Sequence, residues 1–434
     1  MVSLAAPPTG RGRPVVVPAL IAAVVLGLAA GFAPREALVG LLLLGVVVTL
    51  LLRVDWAALA VVGTAVFEDY LTLVDPRAVK GLAAVLVCSW LLRRCAGLRH
   101  SSGLGPVLVC ALVFVGVLLA ATVLHANGRT GLDILLRYAG FLAVLAVLTD
   151  CMRGGLAPAR VARVYVVSCT LASVCGVLVY VLGADRRVGG PIEDPNDLAF
   201  FLLAALPLAF ALRRTARRAW TYDLAAGLVL LALLGTLSRG ALVGVAVMLL
   251  AALLMGLVRL RLALGFAALL GAGLLVVLAA FPQLVDTSLD QKGHVAGQNI
   301  SERLDLWQSA SAMTLESPVL GLGPGSFSLQ HRDYADSLPR DINHHLSVAH
   351  NTYLEISSET GLVGLAAFLA ILVAAYAGAR SRWGRTGDTL GAAVCVGLLG
   401  TAAAAAFVTE QYFLPLWLLA ALGAGLAPAR GRGA

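Results

Sequence analysis

Along most of its length the chain repeats one pattern: a long apolar run, then a short polar or basic break. A helix needs about 20 residues to cross the hydrocarbon core of a bilayer, and fourteen runs approach that length. They fall near 15–33, 36–52, 56–74, 78–92, 106–124, 132–149, 161–182, 197–212, 222–237, 240–257, 262–281, 361–378, 388–408 and 411–427. Some are short, so the pattern predicts twelve to fourteen transmembrane helices. The alternating ten-residue segments of a membrane barrel are absent, which leaves an all-α polytopic membrane protein. One polar stretch, Pro282–His350, breaks the pattern and predicts a single large loop containing short helices. Long loops of this kind are usually functional. The expected organisation is one polytopic domain over 1–434, with the loop at 282–350 inside it.

The break inside Leu224–Val258 is of another kind. That stretch is nearly continuously apolar and too long for one ordinary span. Its strong polar interruption is Thr236-Leu237-Ser238-Arg239-Gly240, which predicts a tight helical hairpin with Arg239 at its apex. Two spans separate Arg187 from Arg239, and two more separate Arg239 from His350. An even number of crossings returns the chain to the same side, so the three residues are expected on one face.

Composition agrees with a membrane protein: 60% of residues are hydrophobic and 13% charged, with a mean hydropathy of +0.91. The net charge of +8 is informative through its distribution. Alternating the spans puts twenty of the 32 Lys and Arg residues on one side, from Arg11 and Arg13 through Arg213–Arg218 to Arg430 and Arg432. The positive-inside rule then predicts cytoplasmic termini and an extracytoplasmic loop. These basic residues are topology signals, and no nucleic-acid partner is implied. The first run has a basic flank like a signal peptide, but a second span follows at once, so an uncleaved helix is expected. The seven cysteines all fall in spans or on the cytoplasmic side, so no disulfide framework is indicated. No cytoplasmic stretch is long enough for a nucleotide-binding domain, so any energy must come with the substrate or an ion gradient.

The candidate chemistry gathers around the loop. Arginine presents a planar fork suited to phosphate, and an Arg at a hairpin apex is costly without a partner. The plainer account of Arg239 is a snorkelling side chain at a helix end. Arg186 and Arg187 depart from the positive-inside pattern. In the segment that follows, Asp194 or Asn196 would cap the next helix, a better account of these groups than a metal site from Glu193, Asp194 and Asp197. Inside the loop, Ser301-Glu302-Arg303 reads as a helix start, with Leu304, Trp307 and Met313–Leu315 as an apolar stripe suited to a membrane surface. Asn299-Ile300-Ser301 matches a glycosylation sequon, although a helix cap explains the serine. Gly321-Leu322-Gly323-Pro324-Gly325 reads as a sharp turn, with an anion nest as the weaker alternative. His350 precedes a helix carrying Glu355 and Glu359, and a helix N-terminus favours a neutral ring able to act as a base. The other loop histidines, His294, His331, His344 and His345, lack ligand spacing. Glu68, Asp69, Arg137 and Glu410 are expensive intramembrane charges best read as structural pairs.

Three blocks of these residues carry a family resemblance. They are Arg187-Val-Gly-Gly with Asp194-Pro195-Asn196; Ser238-Arg239-Gly240-Ala241; and Arg303, Trp307, Pro318, Gly321-Leu-Gly-Pro-Gly-Ser-Phe327, His350-Asn351-Thr-Tyr353-Leu354-Glu355 and Glu359-Thr-Gly361. Together they resemble the O-antigen ligase and O-antigen polymerase superfamily of membrane glycosyltransferases, over about residues 180–370. The resemblance implies transfer of a glycan from an undecaprenyl-diphosphate carrier to an acceptor hydroxyl, without metal or cofactor and with inversion. Carried over by position, Arg187 and Arg239 would bind the diphosphate and His350 would deprotonate the acceptor. Arg186, Arg303, Glu302 and Tyr353 would contribute to substrate binding. The expected partners are the lipid-linked glycan donor, an acceptor that is a glycan, a lipid or a wall polymer, and membrane lipid, in a bacterial plasma membrane. The competing reading from the residues is a permease for a small anion or a lipid-linked sugar, and a third is a scaffold for envelope assembly.

Overall fold

The computed structural model describes residues 34–97, 104–183, 187–261, scattered positions between 264 and 275, 302–334 and 348–427. The apolar run at 15–33, most of that at 262–281, the sequon, and Arg186, His294, Ser301, His344 and His345 lie outside the described residues.

All twelve remaining runs are helical, and no strand occurs among the described residues. In chain order they are α1 (Pro34–Leu52), α2 (Val54–Val74, with a 3-10 turn at Ala65–Phe67), α3 (Ala78–Cys95), α4 (Pro106–Leu124), α5 (Gly128–Arg153), α6 (Pro158–Val181), α7 (Pro195–Arg213), α8 (Ala219–Gly235) and α9 (Arg239–Leu254). A loop helix, α10, covers 302–316, and a short α11 covers Ser326–Gln330. Then come α12 (Thr352–Thr386), α13 (Thr389–Ala404) and α14 (Leu414–Leu426). Among the described residues six helices are long and apolar enough to cross a bilayer, and five shorter apolar ones accompany them. The protein is an all-α polytopic membrane protein.

The centre of the bundle is α7, α13 and α14. Nearly every residue of α7 from Leu198 to Leu212 is buried, as is most of α14. A helix apolar all round is expected in such a place. The outer helices α1, α4 and α6 leave Leu42, Leu112 and Leu171 exposed, as lipid-facing surfaces do. Small residues set the closest approaches, because between lipid-soluble helices backbone packing replaces the hydrophobic effect. On α9, Gly240 and Gly244 lie one turn apart against Ala404 and Gly400 of α13; a Cβ on Gly244 would stand 2.9 Å from the Gly400 carbonyl oxygen. This contact draws the Arg239 end of α9 against the end of α13.

Polar contacts mark which helix ends share a level. Arg94 of α3 pairs with Asp150 of α5 at 3.1 Å, Arg213 of α7 with Asp223 of α8 at 2.5 Å, and Arg382 of α12 with Asp388 before α13 at 3.1 Å. At the other end the start of α7, the α8–α9 hairpin, the start of α12 and the end of α13 meet. The polar residues of the site all belong to this second end.

Two features depart from the run-by-run reading. The helix of the run at 361–378 begins nine residues earlier, at Thr352, and bends at Gly361, whose φ is +68°. That conformation favours glycine, and a Cβ there would strike the Val319 carbonyl. The runs at 388–408 and 411–427 are parted by an irregular linker, 405–413, longer than the two-residue gap between them.

Candidate active site

The site is built on the linker between α8 and α9. Three residues join these helices, and Leu237 among them adopts a left-handed φ of +53°. Bulky side chains rarely do so, at a cost of roughly 1–2 kcal/mol. The turn leaves the Thr236 carbonyl pointing at Arg187, whose Nε donates to it at 2.6 Å. The next residue, Val188, donates its N–H to the Gly235 carbonyl at 3.1 Å, so two consecutive residues zip this strand of loop onto the hairpin. A second Arg187 nitrogen donates to Asn196 Oδ1 at 3.2 Å. Asn196 is itself oriented: its amide nitrogen and its backbone N–H both donate to Asp194 Oδ1, at 3.0 and 2.8 Å. Asp194 is the N-cap of α7, so the capping expectation falls on Asp194 and not on Asn196. Burial lowers the pKa of Arg187, as does the like charge of Arg303, while Asp194 opposes both.

Arg239 is the first residue of α9 and is exposed. Beside it, a Cβ on Gly240 would come within 3.0 Å of Phe407 Cβ. Phe407 lies in the linker 405–413, and its carbonyl accepts from Arg303 at 3.1 Å. Arg303 too is lowered, first by burial and then by Arg239, again against Asp194. Arg303 thus stands within electrostatic reach of both Arg187 and Arg239, with the Asp194 carboxylate opposing the like charges. Cations brought this close suit an anion, which arginine binds through charge-assisted hydrogen bonds.

His350 arrives at the same linker from the other side. It is half-buried, and its φ of +49° makes it, with Leu237, one of two non-glycine residues with positive φ among the described residues. Its neighbours are tied on both flanks. The Ala349 N–H donates to Glu355 Oε2 at 2.8 Å, and the Ala349 carbonyl accepts from Trp307 Nε1 at 3.1 Å. Asn351 caps α12 by accepting from the N–H groups of Tyr353 and Leu354. Thr352 then donates its N–H to the Ala405 and Val408 carbonyls, at 2.9 and 3.0 Å. Residues within two positions of His350 therefore rest on the linker that carries Arg303 and packs against Gly240.

A second small core supports this arrangement. Leu306, Ala310 and Met313 of α10 bury against Leu322, Phe327 and Ala349, apart from the main core. The apolar stripe expected to lie on a membrane surface is therefore split: Met313 is core, whereas Leu304 and Leu315 are exposed. The glycine turn at 321–325 serves packing. The N–H groups of Leu322 and Gly323 go to the Ser358 and Glu359 carbonyls, and that of Gly325 goes to Glu359 Oε1 at 2.9 Å. With its amides committed in this way, simple turn geometry is the better description.

Of the remaining sequence candidates, Glu302 is half-buried at the start of α10. Tyr353 turns its hydroxyl to the Ala402 carbonyl at 2.5 Å, a contact within the bundle. Asp69 accepts from the Glu193 N–H at 2.6 Å, Arg137 lies over the Tyr412 ring at 5.9 Å within electrostatic reach of Glu68, and Glu410 sits buried beside Asp197. Among the described residues no cluster of His, Cys, Asp and Glu has metal-binding geometry. What the sequence reading missed is the linker 405–413 itself. Its signal was the short polar run Thr409-Glu410-Gln411 between two apolar stretches.

Fold and site together define a helical membrane protein with a cationic, histidine-bearing site at one end of its bundle. Residues 224–369 match the model of the O-antigen ligase family, which supports a place for the chain in that superfamily. The matched region runs from α8 into α12 and includes Arg239, Arg303 and His350; Arg187 precedes it. A search of curated proteins returned no match. The family supports glycan transfer of the O-antigen ligase kind and, with it, a lipid-linked glycan and an acceptor as partners in general.

Proposed function

We propose that the protein transfers a glycan from an undecaprenyl-diphosphate carrier to an acceptor hydroxyl at the extracytoplasmic face of a bacterial plasma membrane. His350 takes the proton of the acceptor hydroxyl. The freed oxygen pair attacks the anomeric carbon from the side opposite the diphosphate, so configuration inverts. The anomeric carbon–oxygen bond breaks, and its electron pair leaves on the diphosphate. Arg187, Arg239 and Arg303 stabilise the charge that grows there, and charged hydrogen bonds of this kind are the strong ones. A positioned base contributes roughly 10²–10⁴-fold. The donor already carries its leaving group, so no nucleotide site is required.

The observation that supports this reading most is the gathering, at one end of the bundle, of Arg187 on the α8–α9 hairpin, Arg239 at the start of α9, Arg303 on the linker 405–413 and a left-handed histidine whose neighbours rest on that linker. Arg186, Glu302 and Tyr353 remain candidates for substrate contact, Tyr353 with its hydroxyl already turned to the Ala402 carbonyl.

The test is to incubate purified protein in lipid with a mixed pool of undecaprenyl-diphosphate glycans and acceptors, measuring undecaprenyl diphosphate released. Release that His350→Ala abolishes, together with a new glycosidic product, is the expected result. Normal turnover by folded His350→Ala protein, or glycan flux across the membrane with no covalent product, would refute it.

A further inference from the structure

Glu355 is buried, 2% exposed, and none of the chemistry above uses it. Both its oxygens are engaged by neutral donors from two separate segments. Oε2 accepts from the Ala349 N–H at 2.8 Å and from Thr409 Oγ1 at 3.0 Å. Oε1 accepts from Gln411 Nε2 at 2.9 Å. One side chain therefore joins the peptide before His350 to the linker 405–413. The same linker holds Arg303 through the Phe407 carbonyl at 3.1 Å and lies against Gly240, next to Arg239.

We propose that Glu355 is a positioning residue: it clamps the backbone N–H of Ala349, the residue before the left-handed His350, and thereby sets the base at a fixed place relative to the arginine cluster. The inference rests on the reading of His350 as the base. It explains the residue type, because three donors converge on two oxygens and only a carboxylate accepts from all of them. A glutamine here offers one acceptor oxygen in place of two, so its contact with Gln411 survives only if the Gln411 amide turns over and gives up its present orientation. Glu355 occupies the fourth position of α12, too far along for a capping box, so its reach back to Ala349 is not ordinary helix capping.

The clamp makes a reciprocal prediction. In Glu355→Gln, kcat falls at least tenfold, binding of undecaprenyl diphosphate stays within twofold, and the amides of Ala349 and His350 lose hydrogen-exchange protection. In the exchange Glu355→Gln/Gln411→Glu, the amide oxygen still accepts from Ala349 and Thr409 while its NH2 donates to the new carboxylate. Most of kcat and the lost protection should return. A residue that only supports the fold would lower the melting temperature of both variants without this rescue.

The proposal is overturned if Glu355→Gln keeps kcat within twofold, if carrier binding falls in step with kcat, or if the exchange variant restores nothing. Should Glu355→Gln fail to fold, the exchange variant decides alone. Should both fail, Thr409→Val, which removes one donor, must lower kcat and protection at Ala349 or the proposal is wrong. His350→Ala run alongside separates the two failures. An inactive His350→Ala with a normal Glu355→Gln sinks the positioning role only, whereas an active His350→Ala sinks the reading of the base.

Discussion

Arg187→Lys keeps the charge at the hairpin and removes the fork, so it asks how much of the site's work is geometry. In the structure two of the five guanidinium N–H donors are spent on anchors, the Thr236 carbonyl at 2.6 Å and Asn196 Oδ1 at 3.2 Å. Three remain without partners among the described residues and are available to a diphosphate. A lysine has three donors in all, cannot span both anchors, and offers a point charge in place of a bidentate edge. A bidentate contact with the diphosphate is two charge-assisted hydrogen bonds, and losing them at about 1.5 kcal/mol each, the low end of their range, removes about 3 kcal/mol of transition-state binding. That is roughly a hundredfold in kcat/KM. The assay is release of undecaprenyl diphosphate from a fixed glycan pool, paired with equilibrium binding of the carrier to separate affinity from turnover. Asn196→Ala, which removes one anchor, should cost about 1 kcal/mol, near fivefold. Folded Arg187→Lys protein within threefold of the wild type would show that the fork is irrelevant and that Arg187 is merely a structural tether.

Gly361→Ala should destabilise by several kcal/mol, or prevent folding, because it adds a Cβ against the Val319 carbonyl at a φ of +68°; the melting temperature in detergent checks this. Gly244→Leu should push α9 from α13, with a larger fall in carrier binding than any polar change on the opposite end of the bundle. His331 gives a pH prediction. Its ring is 3% exposed, Nδ1 donates to the Phe327 carbonyl at 2.8 Å, and Nε2 is buried without a partner among the described residues. Burial lowers its pKa below 6.5, so the folded state binds a proton less readily than the unfolded one. The stability it contributes is complete above pH 6.5 and is lost as pH falls through the lower folded value. His331→Phe, which can keep the stacking on Phe327, should flatten the pH dependence of the melting temperature below 6.5; an unchanged slope would refute the assignment.

The helices were legible because each apolar run is long and ends at charged or glycine-rich breaks, and all twelve described runs are helices. The hairpin at Arg239 was legible for the same reason: Thr236, Ser238 and Arg239 interrupt an unbroken apolar stretch. The linker 405–413 was not, since Ala-Ala-Phe-Val offers no turn residue and Thr-Glu-Gln-Tyr-Phe no proline or glycine. There α13 ends because the Ala405 and Val408 carbonyls are taken by Thr352, a tertiary cause that local sequence does not carry. The buried face of α10 was hidden likewise. Leu306 and Leu304 are equivalent to a periodicity argument, and only packing on Phe327 and Ala349 decides between them. Arg187 and Arg239 do lie together on the α8–α9 hairpin, a nearness that a count of crossings reaches without knowing where each helix ends.

The two strained residues tie these observations together. A left-handed Leu237 and a left-handed His350 each cost free energy that glycine would avoid, and neither lies in an exposed turn where the cost would be idle. Leu237 tightens the α8–α9 turn so that the Thr236 carbonyl reaches Arg187 and Arg239 starts its helix. His350 turns the chain so that Ala349 meets Glu355 and Trp307 while Thr352 meets the linker. In both places surrounding hydrogen bonds over-determine the backbone, which is the condition under which strain persists. A fold that needed only to span a membrane would relax both turns with glycine. Replacing Leu237 by glycine should therefore leave the melting temperature within a few degrees yet reduce turnover, because the freed turn no longer holds Arg187 and Arg239 at one fixed separation.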